Sequence, residues 1–322
     1  MYRSFDPYRQ VLLACYEQPS AAQLSQILDQ GQAAFRLWRK KPLAERGALI
    51  LRLADLLLAE EQALARLMCL EMAKPWAQAL AEVQKCAWLC RHYAQHGAAY
   101  LAPEPVETEM QASYVVYQPL GLIVEVMPWN FPLWQVFRFT VPTLLAGNVC
   151  LLKHAPNVPQ SALAILGLFE RAGFPQGVFQ NAFLSNEQVA EVLADERCQG
   201  ASLTGSFRAG SAVAAAAGAA VKPVVLELGG SDAFVVLADA DLEQAAKVAV
   251  QSRLHNNGQT CIAAKRFLIQ DTVYDQFLAY FKAEWAQYQV GDPLDPQCRL
   301  SVLARQDLAE NLQKQVEQGL AQ

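Results

Sequence analysis

The sequence predicts an α/β protein built on a parallel sheet, and three observations predict it. Between Gly121 and Leu237, short apolar runs alternate with stretches of helical periodicity, which is the pattern of βαβ units. A long segment before them is helical in pattern throughout. Polar residues follow the apolar runs directly, and sheets of this kind bind ligands at the carboxyl ends of their strands.

Residues 21–99 read as helices. Leu49, Leu53, Leu56 and Leu57 recur at helical spacing, as do Leu64, Leu67 and Met68, with Pro42 and Pro75 as punctuation. Pro103 and Pro105 then break the pattern, and residues 113–117 alternate like a strand. Apolar runs follow at 121–127, 149–153, 178–180, 201–203, 224–226 and 233–237. Helical patterns at 134–146, 161–171, 187–194 and 207–220 separate most of them. A further helix is expected near 241–255, capped by Asp239 or Asp241. The loop Asn256-Asn-Gly-Gln-Thr-Cys261 comes next, then a strand near 266–270 and helices near 272–287 and 306–320.

Composition narrows the class. The chain has 322 residues, 53% hydrophobic and 18% charged, with a net charge of -5. That balance suits two domains with a sizeable buried core. No block of Lys and Arg marks a nucleic-acid surface. The first twenty residues lack the order of a signal peptide. The alanine-rich stretch 211–221 is too short to span a bilayer, so a cytoplasmic location is expected. The eight cysteines are scattered without a CxxC pair and read as reduced thiols. Cys86 and Cys90 fall on one helix face, but no His or carboxylate cluster completes a ligand set, so no metal is expected.

The chemistry-bearing segments are Met127-Pro-Trp-Asn-Phe-Pro132, Lys153-His-Ala-Pro156, Thr204-Gly-Ser206, Glu227-Leu-Gly-Gly230 and Gly258-Gln-Thr-Cys261. A thiolate at Cys261 would be a strong nucleophile, with Gly258 allowing close backbone approach; a buried loop cysteine is the alternative. Glu227 ends a strand, and apolar walls there would raise its pKa into the range of a general base; a solvated glutamate is the alternative. The Asn130 amide suits donation to an oxyanion or simple support of its turn. Lys153 suits ribose hydroxyls or a phosphate. Gly205 and Ser206 open a helix whose free N–H groups suit an anion, or serve only as a cap. Arg138 lies just over two turns beyond Asn130, so both would look toward one tunnel; a surface arginine is the alternative.

MPWNFP, ELGG and GQTC, in this order and spacing, resemble the aldehyde dehydrogenase superfamily. Glu71-Met-Ala-Lys-Pro75 resembles its EMGKP segment and Gly291-Asp-Pro293 its GDP turn. The likeness covers nearly the whole chain. GNVCLLKHAPNVPQ and ELGGSDAF look most like the NAD(P)-dependent succinate-semialdehyde dehydrogenase branch. The resemblance implies a Rossmann-like dinucleotide-binding domain at 1–226, including the N-terminal helices and a strand pair near 113–118. It implies an incomplete α/β catalytic domain at 227–322. It further implies an oxidoreductase that turns a small aliphatic aldehyde into the acid. Cys261 is then the nucleophile, Asn130 the oxyanion donor, and Glu227 the base that activates water against a thioester. NAD or NADP would meet Trp129, Lys153, Pro156, Gly205, Ser206 and Leu228. Many members carry a Glu where this chain has Pro156, so NADP should be tolerated here. The absence of GxGxxG does not count against the family, which binds its dinucleotide without it.

Two departures follow from the same comparison. Members of that branch hold the substrate carboxylate with an Arg at the place of Arg138 and a second six residues before the nucleophile. The second position is His255 here, a weaker carboxylate anchor. The family also continues into a Glu-x-Phe-Gly-Pro segment and a terminal oligomerisation strand, neither of which occurs in this sequence. A C-terminally truncated chain is therefore expected, with unpaired strand edges and uncovered apolar surface. The family forms homo-oligomers, and the missing strand bears on that. Two other readings stand beside the dehydrogenase: a non-catalytic chain that binds dinucleotide or joins full-length subunits, and thioester hydrolysis without hydride transfer.

Overall fold

The structure, a computed structural model, describes residues 1–321. The chain begins with an antiparallel hairpin, β1 (Tyr2–Asp6) and β2 (Val11–Tyr16). Four helices follow: α1 (Ala21–Trp38), α2 (Leu43–Ala59), α3 (Glu61–Met72) and α4 (Trp76–Tyr100). Ser20 and Gln23 form a capping box at the start of α1, and Pro42 and Pro75 stand at the N-caps of α2 and α4. Two-residue strands β3 (Glu104–Pro105) and β4 (Tyr114–Val115) pair antiparallel.

The alternating part holds β5 (Leu122–Val126), α5 (Trp134–Leu145), β6 (Val149–Lys153), α6 (Pro159–Arg171) and β7 (Phe179–Asn181). It continues with α7 (Asn186–Ala194), β8 (Cys198–Thr204), α8 (Phe207–Ala219) and β9 (Val224–Glu227). The five strands form one parallel sheet in the order β7-β6-β5-β8-β9. Its inner strands β5 and β6 are buried almost throughout, as a parallel sheet covered by helices on both faces requires. The last part holds β10 (Ala233–Val236), α9 (Leu242–Leu254), β11 (Arg266–Ile269), α10 (Tyr274–Trp285) and α11 (Gln306–Leu320). Strands β10 and β11 pair parallel, and Asp241 caps α9.

The topology sets the site. From β5 the chain runs outward through β6 and β7, then returns to the other side of β5 for β8 and β9. The strand order reverses beside β5, and the crevice of such a sheet opens there. In register, Val126 lies beside Lys153 and Leu203, and Thr204 beside Glu227. The polar strand ends therefore share one edge.

One large hydrophobic core runs from Leu24 to Ala217 and joins α1–α8 to the sheet. A smaller cluster gathers Val236, Ala246, Ala249 and Phe277. Val235 and Leu268, on β10 and β11, are exposed, as are Val225 on β9 and Leu237.

Two elements depart from the sequence reading. The N-terminal hairpin had no counterpart in it, although Tyr2, Ser4 and Asp6 are buried in strict alternation. The strand expected over 113–117 shrinks to Tyr114–Val115, because residues 114–117 are all exposed and neither face has a core to cover. Among the described residues no helix is long and apolar enough to cross a membrane.

Candidate active site

A cavity of about 590 Å3 opens at the carboxyl edge of the sheet. Its walls bring together Trp129 and Asn130 after β5, Thr204, Gly205 and Ser206 after β8, and Glu227 and Leu228 at the end of β9. The fourth wall is the loop that carries Cys261. Residues far apart in sequence thus meet where the strand order places them. Lys153, Pro156, Arg138 and His255 are not among the wall residues.

The turn bearing Asn130 is built from beneath. Lys74 is completely buried and pairs with buried Glu82. Its ammonium also donates to the Asn130 carbonyl at 3.2 Å and lies 3.9 Å from the Phe131 ring centroid. The other Glu82 oxygen accepts from the N–H groups of Leu133 and Trp134, both at 2.9 Å. This carboxylate therefore satisfies the free N–H groups at the start of α5. Burial pulls the Lys74 pKa down, and Glu82 opposes that shift. Glu71, on α3, does similar work on α6. Its buried carboxylate accepts from Gln160 N, Ser161 N and the Ser161 hydroxyl at 2.7–2.9 Å. Burial raises its pKa against those hydrogen bonds. Behind the turn, buried His154 bonds through Nε2 to the Pro132 carbonyl and accepts from Ala155 N through Nδ1. Burial pushes its pKa down to about 4.

The Cys261 loop depends on left-handed backbone. Asn256, Asn257 and Gly258 have φ of 55°, 57° and 75° in succession. A Cβ on Gly258 would lie 3.2 Å from the Arg253 carbonyl, so backbone conformation, rather than approach to a ligand, calls for glycine here. The two asparagines tie the loop to its surroundings. Asn256 Nδ2 donates to the Asn130 carbonyl at 2.6 Å, and Asn257 Nδ2 to the Ala73 carbonyl at 2.8 Å. Asn130 Nδ2 in turn donates to the Gln259 carbonyl at 3.0 Å. The Lys265 ammonium donates to the carbonyls of Cys261, at 2.8 Å, and Gly230. It thereby links the cysteine turn to the turn after Glu227. Cys261 itself is exposed.

Buried polar atoms without a partner gather at this cleft. Asn130 Oδ1, Gln135 Oε1 and Arg253 Nη1 belong to wall residues, and Asn256 Oδ1 lies in the same loop system. Such atoms are rare in folded proteins and mark places where a ligand or water completes the bonding.

Several expectations need correction. Glu227 is not walled by apolar groups: its side chain is 56% exposed and faces Arg138, whose Nη2 lies 3.4 Å from Oε2. The last residues of β9 alternate between half-buried and exposed, so the strand end projects into the open cleft. Arg138 does not look into a tunnel beside Asn130. It is absent from the cavity walls but contacts two residues that form them, since its Nη2 also meets Thr204 Oγ1 at 3.3 Å. His255 stacks on Phe131 at 5.9 Å between centroids. Desolvation, with the charge of Lys74 added, lowers its pKa.

The cofactor expectations divide. Ser206 caps α8 by accepting from Ala209 N at 3.3 Å. Leu228 presses against Gly210, where a Cβ would lie 2.7 Å from its methyl carbon. Helix α8 and the turn after β9 therefore approach closely. Trp129 packs with Met72, Ala155, Val158 and Ala304. Lys153 is buried at the end of β6, 5.9 Å from the ring centroid of Tyr2, and burial lowers its pKa. The Pro156 carbonyl accepts from Arg3 N at 3.0 Å, so the N-terminal hairpin covers this corner.

Sequence reasoning missed a second cavity, of about 490 Å3, between α7 and α8. Val189, Leu193, Leu203, Arg208 and Ala212 are among its walls, and Ser206 belongs to both cavities. The small residues on α8 were the available signal. It also missed Lys74, Glu82, Asn256 and Asn257, whose polar character gave no hint of burial. Among the described residues no group of three or more His, Cys, Asp or Glu forms a metal cluster.

Comparison with known proteins agrees with this geometry. The chain is 49% identical over 302 residues to a probable NADP+-dependent succinate-semialdehyde dehydrogenase of Synechocystis sp., covering 94% of this chain and 66% of that protein. It is 47% identical over 302 residues to the succinate semialdehyde dehydrogenase Sad of Escherichia coli, covering 94% of this chain and 65% of that one. The chain thus spans just under two thirds of the length of these relatives. The crystal structure of succinic semialdehyde dehydrogenase from Streptococcus pyogenes, in complex with NADP+, superposes with a TM-score of 0.96. It is 36% identical, over 98% of this chain and 70% of that one. The family model described as the aldehyde dehydrogenase family matches residues 1–322. The chain belongs to the aldehyde dehydrogenase family.

Proposed function

We propose that this chain carries the nucleophile, base and cofactor surfaces of an NAD(P)-dependent aldehyde dehydrogenase acting on succinate semialdehyde. The observation that carries the reading is the single cleft lined by Asn130, Glu227 and Cys261 together with the N-terminus of α8. The relatives' names, succinate-semialdehyde dehydrogenases, support this substrate and favour this reading over a non-catalytic role.

The residues fit a dinucleotide. The N-terminus of α8 offers anion-binding N–H groups, and the two cavities that meet at Ser206 give room on either side of it. Gly205, Ser206, Leu228 and Trp129 would hold the group. Lys153, buried beneath the hairpin, would reach it from the end of β6. No carboxylate stands at Pro156 to repel a 2'-phosphate, in accord with the NADP+ in the relatives' names. When bound, the nicotinamide supplies the hydride acceptor.

The chain's own residues account for the rest. Cys261 Sγ attacks the aldehyde carbon and forms a thiohemiacetal. The Asn130 amide moves its hydrogen bond from the Gln259 carbonyl to the developing oxyanion. After oxidation leaves a thioester on Cys261, Glu227 takes a proton from the attacking water. The thiolate then departs and the acid is released. The division at 1–226 and 227–322 suits the separate hydrophobic clusters on either side of β9.

The test is direct. The purified chain is mixed with succinate semialdehyde and either NAD or NADP, and the reduced nicotinamide band is followed. Turnover that vanishes in Cys261→Ala is expected. Turnover that persists in that variant refutes the mechanism.

A further inference from the structure

The candidate base and the candidate nucleophile stand on separate sheets. Glu227 ends β9, at an edge of the five-stranded sheet, and Cys261 lies in the loop before β11, which pairs with β10. Residues 228–232 cross from one sheet to the other with little to hold them. Residues 229–232 are exposed, and a Cβ on Gly229 or Gly230 would meet nothing within 4 Å. The Glu227 side chain is 56% exposed and its ion pair with Arg138 is a single contact of 3.4 Å. Such a pair is weak, so Glu227 takes its place mainly from its backbone. Among the described residues, two side chains hydrogen-bond to the crossing. Arg266 Nε donates to the Ser231 carbonyl at 2.7 Å, and the Lys265 ammonium donates to the Gly230 carbonyl. Of the two, Lys265 also donates to the Cys261 carbonyl, at 2.8 Å, and so joins both turns. An ammonium has three donors and can bridge two carbonyls, and a charged donor makes the stronger bonds. Lys265 lines the cleft together with Glu227 and Cys261.

We infer that Lys265 is a positioning residue for the hydrolytic half of the reaction, setting the turn that follows Glu227 against the turn that carries Cys261. This rests on the proposed dehydrogenase reading and deepens it. Attack by Cys261 on a carbonyl depends on the frame of its own loop, which the bonds of Asn130 and Asn256 supply. Hydrolysis of the thioester depends besides on Glu227 lying within reach of a water at the acyl carbon. Loss of the Lys265 ammonium slows the second step and spares the first.

An activated ester separates the two steps without any nicotinamide. A limiting amount of p-nitrophenyl acetate is mixed with the purified chain in a Cys15→Ser background, which leaves Cys261 as the exposed thiol among the described residues. Cys261 Sγ bonds to the acetyl carbon and p-nitrophenolate leaves, and its absorbance reports this step. Water then bonds to that carbon, Glu227 takes the water's proton and the C–S bond breaks. The decay of the acetylated mass, followed by mass spectrometry, reports this second step. Lys265→Met should leave acylation within about twofold and slow deacylation about 10- to 100-fold, the loss that a misplacement of about 1 Å brings. Glu227→Gln should slow deacylation too, and adding Lys265→Met to it should change the rate by less than about twofold, because the lysine acts through the glutamate. Deacylation in Lys265→Met within about twofold of the parent overturns the inference. So does acylation that falls in step with deacylation, or a second full loss on top of Glu227→Gln. In each of those outcomes a parent that takes up and releases acetyl at Cys261 keeps the dehydrogenase reading. A parent that is never acetylated at Cys261 overturns that reading and the role of Lys265 with it.

Discussion

The side-chain amide of Asn130 donates to the carbonyl of Gln259 at 3.0 Å, two residues before the cysteine. The candidate oxyanion donor and the candidate nucleophile are thereby held on one hydrogen-bonded frame. The Asn130 carbonyl closes the frame from the other side by accepting from Asn256 and Lys74.

Replacing Asn130 tests both uses of that amide. Asn130→Ala should lower kcat by about 100- to 1,000-fold, the usual loss for one oxyanion donor, with little change in KM. Steady-state kinetics on succinate semialdehyde measure this. A kcat within a few-fold of the parent would leave Asn130 with only its structural bond to the loop.

Thiol chemistry should single out Cys261 without any substrate. Among the described residues only Cys15 and Cys261 are exposed cysteines, and the other six are buried. Burial pushes the Cys69 thiol up to about 12 and Cys150 well above its ordinary value. A thiol-specific disulfide reagent should therefore titrate two groups in the folded chain and eight after denaturation. Cys261→Ala should leave one fast thiol, which Cys15→Ser removes. Three or more fast thiols in the native parent would contradict this packing.

Stability should depend on pH through two buried groups with opposite signs. Burial raises the Glu125 pKa to about 8, from an ordinary value of 4.5. The folded chain holds a proton that the unfolded chain releases. This stabilisation is full below about 4.5 and is lost as pH rises through about 8. His154 is depressed to about 4 from 6.5. Its contribution is present above 6.5 and is lost as pH falls through about 4. Urea unfolding should show stability declining between pH 6.5 and 8, with that decline flattened in Glu125→Gln. An unchanged slope in the variant would exclude Glu125 as its source.

The buried pair beneath the turn should carry a large stability cost when broken. Lys74→Met leaves the Glu82 carboxylate buried without its cation, and such changes cost about 3–5 kcal/mol. Lys74→Met combined with Glu82→Gln should recover part of the loss. Glutamine keeps an oxygen for the N–H groups of Leu133 and Trp134, which Glu82 now serves. Urea midpoints of the three chains measure this. A double variant no more stable than Lys74→Met alone would contradict the account.

Much of the fold was legible because its signals are local. Apolar runs bounded by turns marked β5, β6, β9 and β10 within a residue or two. The hairpin of Tyr2–Asp6 and Val11–Tyr16 was not legible. Its burial comes from contacts such as Tyr2 Oη to the Leu184 carbonyl, 182 residues away. Lys74 and Glu82 stayed hidden for a related reason. Charged residues are normally exposed, and only the turn above them explains their burial.

By itself the sequence determined the parallel α/β architecture, the family, and the chemistry available at Asn130, Glu227 and Cys261, since periodicity and ordered motifs are written along the chain. Tertiary structure alone decided which of these groups meet. It put Lys153 and Pro156 behind the hairpin, set Arg138 against Glu227, and left Glu227 exposed. Exposure and ion pairing depend on which surfaces the strand order brings together, and no spacing along one strand or helix encodes that.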